Sequence, residues 1–169
     1  ITSIGDRAFY NCKQLKGIST LPATVATIGS SAFRYCNLIT ELDLSANVNM
    51  TTVNKLSFAN MTGLTSIKLP ESITTIADYA FYNDNLLSEI TIGADVTTIG
   101  EDVFGTTSEA FTIKCYTDSA AHQYAETNSI KYELLDAVTD GWDGDSYYVD
   151  GVKLTGVQLV DGYYYNFGE

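Results

Sequence analysis

The amino-acid sequence predicts a repeat solenoid, built mostly of β-structure with short 3₁₀ or α-helical turns. Two apolar residues three positions apart, followed by a small residue and a phenylalanine, occur five times. The phenylalanines are spaced by 24, 25, 23 and 23 residues, and they are Phe9, Phe33, Phe58, Phe81 and Phe104. Nine residues after each phenylalanine stands an aliphatic residue, namely Ile18, Leu42, Ile67, Ile90 and Ile113. A repeat of this length is typical of chains whose units stack one on the next.

Each unit is predicted to contribute one short strand to a parallel sheet. Aliphatic and β-branched residues alternate with polar ones over a few positions in the second half of each unit, which is typical of strands. Stacked units pair such strands in parallel without hairpins. The predicted strands cover residues 15–18, 40–44, 66–69, 89–92 and 112–115. We expect their inward residues and the phenylalanines, stacked in a column, to form the core.

Two connecting segments complete the unit. Residues 6–12 are predicted to form a short helical or 3₁₀ turn. The loop 45–49 is longer than its counterparts and explains the 25-residue spacing. It is interpreted as a tolerated surface insertion, with a binding loop as the alternative.

A cap is predicted at about residues 112–135. Asp118-Ser119 is a favourable helix N-cap, residues 120–126 a short helix, and Asn128 a stop before a strand at 130–134. Solenoids need an atypical last unit with a polar outer face, because an exposed core edge would drive association. The solenoid with its cap is therefore predicted to form one domain, residues 1–135.

Residues 136–169 are predicted to form a second domain of β-hairpin repeats. They are rich in Gly, Asp and Tyr, and the Tyr-Tyr pair at 147–148 recurs at 164–165. Asp-Gly dipeptides at 150–151 and 161–162 are tight-turn signals between β-prone residues. This pattern predicts successive hairpins.

The charge balance limits the kinds of partner. The chain carries 9 Lys+Arg against 21 Asp+Glu, a net charge of −12. We therefore do not expect nucleic acid or anionic lipid as partners, because their phosphates would be repelled. No apolar run approaches the roughly 20 residues of a membrane span. Ile1 enters in the middle of a repeat, so we expect the chain to be a piece of a longer protein whose targeting signals lie outside it.

The three cysteines, Cys12, Cys36 and Cys115, have no paired spacing and give no disulfide framework. Cys12 and Cys36 share the position three residues after phenylalanine, where Met61 stands in the next unit. We interpret them as two buried reduced thiols that pack as small apolar groups. A disulfide between stacked units is the alternative, and metal binding is disfavoured.

One repeat unit reads Val25-x-x-Ile28-Gly29-x-x-Ala32-Phe33-x-x-Cys36, and Leu69-Pro70 joins two units. This unit resembles the BspA-like, or Treponema-type, leucine-rich repeats of bacterial surface proteins, over residues 1–135. The resemblance implies a right-handed leucine-rich-repeat coil in a protein that is secreted or held at the bacterial cell surface. It also implies that the repeat region meets host or neighbouring-cell surfaces.

The tail reads Gly141-Trp142 through Tyr147-Tyr148, then Thr155-Gly156-Val-Gln-x-Val-Asp-Gly162-x-Tyr164-Tyr165-Asn-Phe167. This pattern resembles the cell-wall-binding or choline-binding repeats, which implies non-covalent attachment to the wall. The second unit departs from the family by carrying Val157 where the first has Trp142.

The aromatic residues of the tail are candidate ligand-binding residues. The π-faces would come from Trp142, Tyr148, Tyr164 and Tyr165, and the negative potential from Asp143, Asp145 and Asp161. Such a set suits a quaternary ammonium group such as choline, or a stacked wall polysaccharide. The alternative, which the small size of the unit favours, is that these rings only pack the hairpins together.

Outward positions of the predicted strands form a candidate interaction face for a protein or glycan partner. They are Glu41, Asp43, Ser66, Lys68, Glu89, Thr91, Thr112 and Lys114. No aromatic cluster marks this face, so a plain solvated surface is the favoured alternative.

No catalytic, metal-binding or cofactor-binding group is predicted. The only histidine, His122, lies in the cap helix without a nucleophile motif. Asp143-x-Asp145 lacks the glycine and the distal glutamate of a calcium loop. The sequence therefore favours a non-enzymatic bacterial cell-surface adhesin or interaction protein. Its expected partner is a host or bacterial surface protein or glycan, and its tail is expected to bind cell-wall choline or polysaccharide. The alternative is a non-catalytic targeting or carbohydrate-binding region of a larger secreted hydrolase or toxin.

Overall fold

The computed structural model describes residues 1–106, 108, 110–136, 141–143, 146–149, 152–160 and 163–166. The chain divides into two compact units, Ile1–Leu135 and Asp136–Glu169. The strands of the first unit are β1 (Ser3–Ile4), β2 (Thr27–Ile28), β3 (Glu41–Asp43), β4 (Thr52–Val53), β5 (Ser66–Lys68), β6 (Thr75–Ile76), β7 (Glu89–Thr91), β8 (Thr98–Ile99), β9 (Thr112–Cys115) and β10 (Lys131–Leu134), with helix α1 (Ala120–Thr127) between the last two. The strands of the second unit are β11 (Gly141–Asp143), β12 (Ser146–Val149), β13 (Val152–Lys153), β14 (Val157–Val160) and β15 (Tyr163–Asn166).

Four of the five predicted repeat strands, together with the cap strand, form one row of the first unit, which we call the strand ladder: β3, β5, β7, β9 and β10. The strand predicted at residues 15–18 is wrong, because Gly17, with φ of 74°, interrupts the extended backbone there. This repeat joins the row only through an isolated parallel bridge between Thr20 and Asp43.

The hydrogen-bonded pairs of the strand ladder, β3 with β5, β7 with β9 and β9 with β10, all run parallel. The middle residue of each three-residue strand, Leu42, Ile67 or Ile90, is buried, because successive strand residues point to opposite faces. The predicted parallel stacking of the repeat units is confirmed.

A second row of strands, which the sequence analysis missed, runs along another side of the solenoid. It consists of the two-residue strands β1, β2, β4, β6 and β8, paired in parallel as β1 with β2 and as β4 with β6 with β8. Each of these strands ends on the second apolar residue of the repeat pattern, and Ile28, Val53 and Ile76 are fully buried. The period of the pattern predicts which residues face inward but does not reveal so short a strand.

The turn around each phenylalanine is a series of tight turns rather than the predicted short helical or 3₁₀ turn. The residues two before the phenylalanine are Arg7, Ser31, Leu56, Tyr79 and Asp102, and those two after it are Asn11, Tyr35, Asn60 and Asn83; all have φ between 47° and 67°. Left-handed residues cannot continue a right-handed helix. The phenylalanine amide instead donates to the next unit, as from Phe33 to the carbonyl of Ser57 at 2.8 Å and from Phe58 to that of Ala80 at 3.0 Å.

The five phenylalanines stack as a column through the core, as predicted. Successive ring centroids from Phe9 to Phe104 lie 5.1, 5.9, 5.5 and 5.8 Å apart, with planes inclined by at most 21°. Phe111 closes the column against Phe104 at 4.9 Å. Parallel offset rings at this spacing bury large apolar areas and add a favourable aromatic contact. The column is part of one continuous apolar core that also includes the buried aliphatic residues of both rows of strands.

The thiols and the long loop show how the remaining interior is filled. Cys12 and Cys36 are free; Cys36 is buried, Cys12 is half-buried, and the Cys36 thiol donates to the carbonyl of Phe9 at 3.1 Å. Burial raises the pKa of the Cys36 thiol to about 11. In the loop 45–49, Asn47 is fully buried and its amide donates to the carbonyls of Pro22 and Val25 at 2.8 and 3.0 Å. This loop is therefore an integral part of the packing rather than a loose insertion.

The cap forms at the predicted residues. Helix α1 begins after Ser119, whose hydroxyl accepts from the amide of His122 at 3.2 Å, as an N-cap does. Its buried residues Ala121 and Ala125 face the core. The hydroxyl of Tyr124 accepts from the amide of Val103 at 3.0 Å, so the helix also satisfies a backbone group of the last phenylalanine turn.

The second unit contains antiparallel strands, as the hairpin prediction requires. Strand β11 pairs with β12, β12 with β13, and β14 with β15. Val149 pairs with Val152 and Val160 with Tyr163, while the Asp-Gly turns predicted between them lie outside the described residues.

Candidate functional site

The structure brings the predicted interaction-face residues to the outer side of the strand ladder. In register across neighbouring strands are Glu41 and Ser66, Asp43 and Lys68, Glu89 and Thr112, and Thr91 and Lys114. None of the eight is buried: Asp43, Thr112 and Lys114 are half-buried, and the other five, Glu41, Ser66, Lys68, Glu89 and Thr91, are exposed. The parallel register converts a periodic sequence pattern into a flat array of polar side chains.

Ion pairs between neighbouring strands neutralise much of this array. Lys68 Nζ lies 3.4 Å from Asp43 Oδ2, and Lys114 Nζ lies 3.0 Å from Glu89 Oε2. Hydrogen bonds from Ser45, with a smaller contribution from Lys68, lower the pKa of the Asp43 carboxyl. The Glu89 carboxylate raises the pKa of the Lys114 ammonium. Ion pairs at a protein surface contribute little stability.

The strand ladder is interrupted between β5 and β7. The amide of Leu44 donates to the carbonyl of Lys68 at 2.9 Å, and the amide of Ile92 donates to that of Lys114 at 2.9 Å. The equivalent amide between them belongs to Leu69, and within the fully described stretch 65–93 it has no such bond to β7. Strands β5 and β7 therefore belong to separate sheets, although some of their Cα atoms lie within 8 Å.

A cleft of about 690 Å³ lies over this interruption. Four of the predicted face residues line it: Ser66, Lys68, Glu89 and Thr91. Residues that the sequence analysis missed line it as well, among them Val48, Glu71, Gly93 and Tyr116. The volume lies in the range of small-molecule sites in proteins.

The missed residues Gly93 and Tyr116 hold the same position in successive repeat units. Each follows the last inward residue of its strand, where Ser45 and Pro70 stand in the two preceding units. No atom lies within 4 Å of the place that a Cβ would take on Gly93, and Tyr116 is 36% exposed. The replacement of a small residue or proline by tyrosine at one repeat position was the sequence signal that could have indicated the cleft.

In the second unit, Trp142 contacts two tyrosines. Its ring centroid lies 5.2 Å from that of Tyr147 and 5.0 Å from that of Tyr165, both nearly perpendicular. The structure thus brings the predicted residues Trp142 and Tyr165 together, and they are 49% and 36% exposed. In β12 it is Tyr147 that stands opposite Trp142, whereas the predicted residue Tyr148 stands opposite Gly141.

The other tail residues of the predicted site are not placed. The side chains of Tyr164 and Asp143, and residues Asp145 and Asp161, lie outside the described residues.

The described residues contain no group of three or more His, Cys, Asp or Glu side chains that could hold a metal ion. His122 packs its ring against Tyr132 at 4.6 Å, and its Nδ1 accepts from the amide of Asp118 at 3.1 Å. Its contacts are thus those of a cap residue. In the part of the chain that the structure describes, no helix is long and apolar enough to cross a membrane.

A family model described as the BspA type leucine rich repeat region matches residues 1–111 in six copies. Among solved structures, a leucine-rich repeat protein from Bacteroides ovatus ATCC 8483 matches with a TM-score of 0.58 and 26% identity, over 68% of this chain and 35% of that one. A leucine rich cell surface protein from Faecalibacterium prausnitzii A2-165 matches with a TM-score of 0.49 and 32% identity, over 71% of this chain and 37% of that one. The chain spans about a third of the length of each of these proteins. No curated protein matches.

Proposed function

Because the chain belongs to the family of BspA-type leucine-rich repeat regions, we propose that it is a non-enzymatic interaction protein of the bacterial cell surface. Its strand ladder would bind a protein or glycan on a host cell or a neighbouring bacterium, and its aromatic tail would attach to the cell wall. The proposal is supported by the family and by the exposed array of polar residues on the strand ladder. The single observation that carries it is the cleft that interrupts this array between β5 and β7.

The binding role of the strand ladder is tested with one substitution on each row of strands. Ser66→Arg places a long cation on the outer side of β5, and Thr98→Arg places the same side chain on β8; both positions are exposed. The labelled chain is applied to intact epithelial cells, to immobilised extracellular matrix and to purified cell-wall sacculi. We expect Ser66→Arg to weaken binding to at least one of these surfaces by roughly tenfold or more, because a bulky charge in the centre of an interface is costly. Thr98→Arg should bind as the unmodified chain does.

Two results contradict this role. One is equal binding by both arginine variants, and the other is a chain that binds none of the three surfaces.

Wall attachment by the tail is supported by the contact of Trp142 with Tyr147 and Tyr165 across the two hairpins. Exposed aromatic rings beside acidic residues attract quaternary ammonium groups and stack on sugars. The whole chain is −12 in formal charge, which also favours a cationic headgroup over an anionic polymer.

Sedimentation with cell-wall sacculi tests the tail. Trp142→Ala should release the chain from sacculi, whereas Tyr10→Ala, which removes a similarly exposed aromatic ring from the first unit, should not. If choline is the group recognised, free choline at millimolar concentration competes with the sacculi. A Trp142→Ala chain that sediments as the unmodified chain does would rule out this attachment.

A further inference from the structure

The cleft between β5 and β7 has the chemistry of a sugar-binding site, and we infer that it binds a short neutral oligosaccharide. This inference rests on the proposed function and names the kind of partner that the strand ladder takes. It depends on four features of the cleft: its space, its side chains, its free backbone groups and its charge.

The space in the cleft is produced by glycine at a position where glycine is not needed for folding. Gly93 has no left-handed φ, and a Cβ on it would meet no atom within 4 Å. Neither the backbone nor the packing therefore requires glycine here. Its absent side chain leaves room between Pro70 of one unit and Tyr116 of another, and the cleft as a whole has a volume of about 690 Å³.

The side chains that line the cleft match the two kinds of surface on a sugar. Tyr116 presents a partly exposed ring, and the C–H face of a pyranose packs on such rings as an apolar surface does. Sugar hydroxyls donate to carboxylates and exchange hydrogen bonds with hydroxyls. The cleft supplies these partners from Glu71, Glu89, Ser66 and Thr91.

The interrupted ladder adds backbone groups to the floor of the cleft. The Leu69 amide faces β7 without the bond that Leu44 and Ile92 make in their units. A peptide could use such a group only by inserting as a strand, which requires neighbouring strands about 4.8 Å away on each side. Because some Cα atoms of β5 and β7 already lie within 8 Å, a third strand does not fit between them. A sugar hydroxyl does not require β5 and β7 to be separated by the width of another strand. The cleft therefore favours an oligosaccharide over an extended peptide.

The charge of the cleft selects among sugars. Lys68 is paired with Asp43, and Glu89 with Lys114. Glu71 has no ion pair within the described residues, so the lining keeps a net negative charge. A uronic-acid or sulfated polymer is repelled by this lining and by the acidic chain around it. The preferred ligand is therefore uncharged.

The test uses the whole chain and isothermal titration with neutral tetrasaccharides, namely chitotetraose, cellotetraose, maltotetraose and mannotetraose, with tetragalacturonate as the anionic comparison. Gly93→Leu fills the cleft, and Gly5→Leu adds the same side chain at another glycine that is equally open and has no left-handed φ. We expect at least one neutral tetrasaccharide to bind, Gly93→Leu to weaken it tenfold or more, and Gly5→Leu to change it less than twofold. Both variants should unfold at the denaturant concentration of the unmodified chain.

Two further variants separate the possible causes of binding. Tyr116→Phe should bind as the unmodified chain does and Tyr116→Ala several-fold more weakly, because the ring rather than the hydroxyl makes the stacking contact. The double variant Trp142→Ala, Tyr165→Ala should leave the affinity of the cleft unchanged. Any of three results would overturn the inference. They are no binding of any neutral tetrasaccharide, loss of binding only in the tail variant, and tighter binding of tetragalacturonate than of the neutral tetrasaccharides. If Gly93→Leu instead loses attachment to matrix or cells while no sugar binds, the strand ladder is an interaction face but its partner is not a neutral sugar.

Discussion

Two columns of side chains run through the same interior and differ in how strictly their residues are fixed. The phenylalanine column holds one residue type in five successive units. The column three residues later, which we call the third-residue column, holds Cys12, Cys36, Met61 and Asp84. Both columns are produced by the same stacking, so the difference lies in what each position requires of its side chain.

The phenylalanine column requires one shape, because each ring from Phe33 to Phe104 lies against one ring on either side. The third-residue column requires only that the space be filled and that a polar group find a partner on the preceding unit. Cys36 donates to the carbonyl of Phe9 at 3.1 Å, and Asp84 Oδ1 accepts from the amide of Met61 at 2.7 Å. A repeat position can therefore stay buried while varying in chemistry, as it does at Cys36, Met61 and Asp84.

The largest expected effect comes from breaking the phenylalanine column at its centre. Phe58→Ala removes a fully buried ring between Phe33 and Phe81, and we expect it to lower the free energy of unfolding by about 3–5 kcal/mol. Lys55→Ala, three residues away, removes an exposed ion pair with Asp78 and should cost far less. Denaturant unfolding of both variants measures the difference, and equal losses would show that the column does not carry the core.

The third-residue column predicts a pH dependence through Asp84, which is 2% exposed. Burial raises the pKa of its carboxyl from 3.8 to about 9, opposed only in part by the bond from Met61. Between these two values the folded chain keeps a proton that the unfolded chain releases, so the free energy of unfolding falls as the pH rises. The slope is at most about 1.4 kcal/mol per pH unit.

Asp84→Asn should remove this slope, because an amide does not titrate and can still accept from the Met61 amide. The free energy of unfolding of the whole chain is measured at pH 5 and at pH 8. Between these two values it should fall less for the variant than for the unmodified chain. At pH 8 the variant should be the more stable of the two. Asp95→Asn, at an exposed carboxyl, is the control and should keep the slope. Parallel pH curves for Asp84→Asn and the unmodified chain would show that this carboxyl does not titrate as a buried group.

The smallest expected effect concerns the left-handed residues that flank the phenylalanine column. Leu56 has φ of 57°, a conformation that asparagine tolerates better than leucine and that β-branched residues tolerate least. Leu56→Asn should stabilise the chain by up to about 1 kcal/mol, because it relieves the backbone strain, although the loss of the half-buried leucine side chain reduces this gain. Leu56→Val should destabilise the chain. The two variants share one site, so the sign of the difference between their unfolding free energies isolates the backbone effect; a more stable valine variant would contradict it.

Much of this architecture could be predicted from the periodic residues alone. The spacing of Phe33, Phe58 and Phe81 predicts the stacked units, and the aliphatic residues nine positions later predict the strand ladder. The same logic missed β1, β2, β4, β6 and β8, since a two-residue strand leaves no alternation to detect. In the last unit the sixth residue after the phenylalanine is Ala110, which is exposed, and Phe111 takes the buried place. A shift of one residue in the last unit is invisible when both candidate residues are apolar.

The candidate site was predictable only in part for a different reason. Glu41, Ser66 and Lys68 follow from strand alternation, but the cleft lies over an interruption of the strand ladder, where Leu69 does not make the hydrogen bond that Leu44 and Ile92 make. Likewise, Trp142 and Tyr165 are conspicuous in the sequence, yet whether Tyr147 or Tyr148 joins them depends on strand register. A shift of register by one residue would exchange the two faces of β12.

The sequence by itself determined that the chain repeats, that its periodic apolar residues form the core, where the cap begins and that the surface is acidic, because these properties depend on composition and spacing along one dimension. The tertiary structure alone decided the left-handed turns, the split between β5 and β7, the open space at Gly93 and the burial of Asp84 and Asn47. Each of these depends on how one unit meets the next, where a displacement of a fraction of an ångström makes or breaks a hydrogen bond. No periodic pattern records such a displacement.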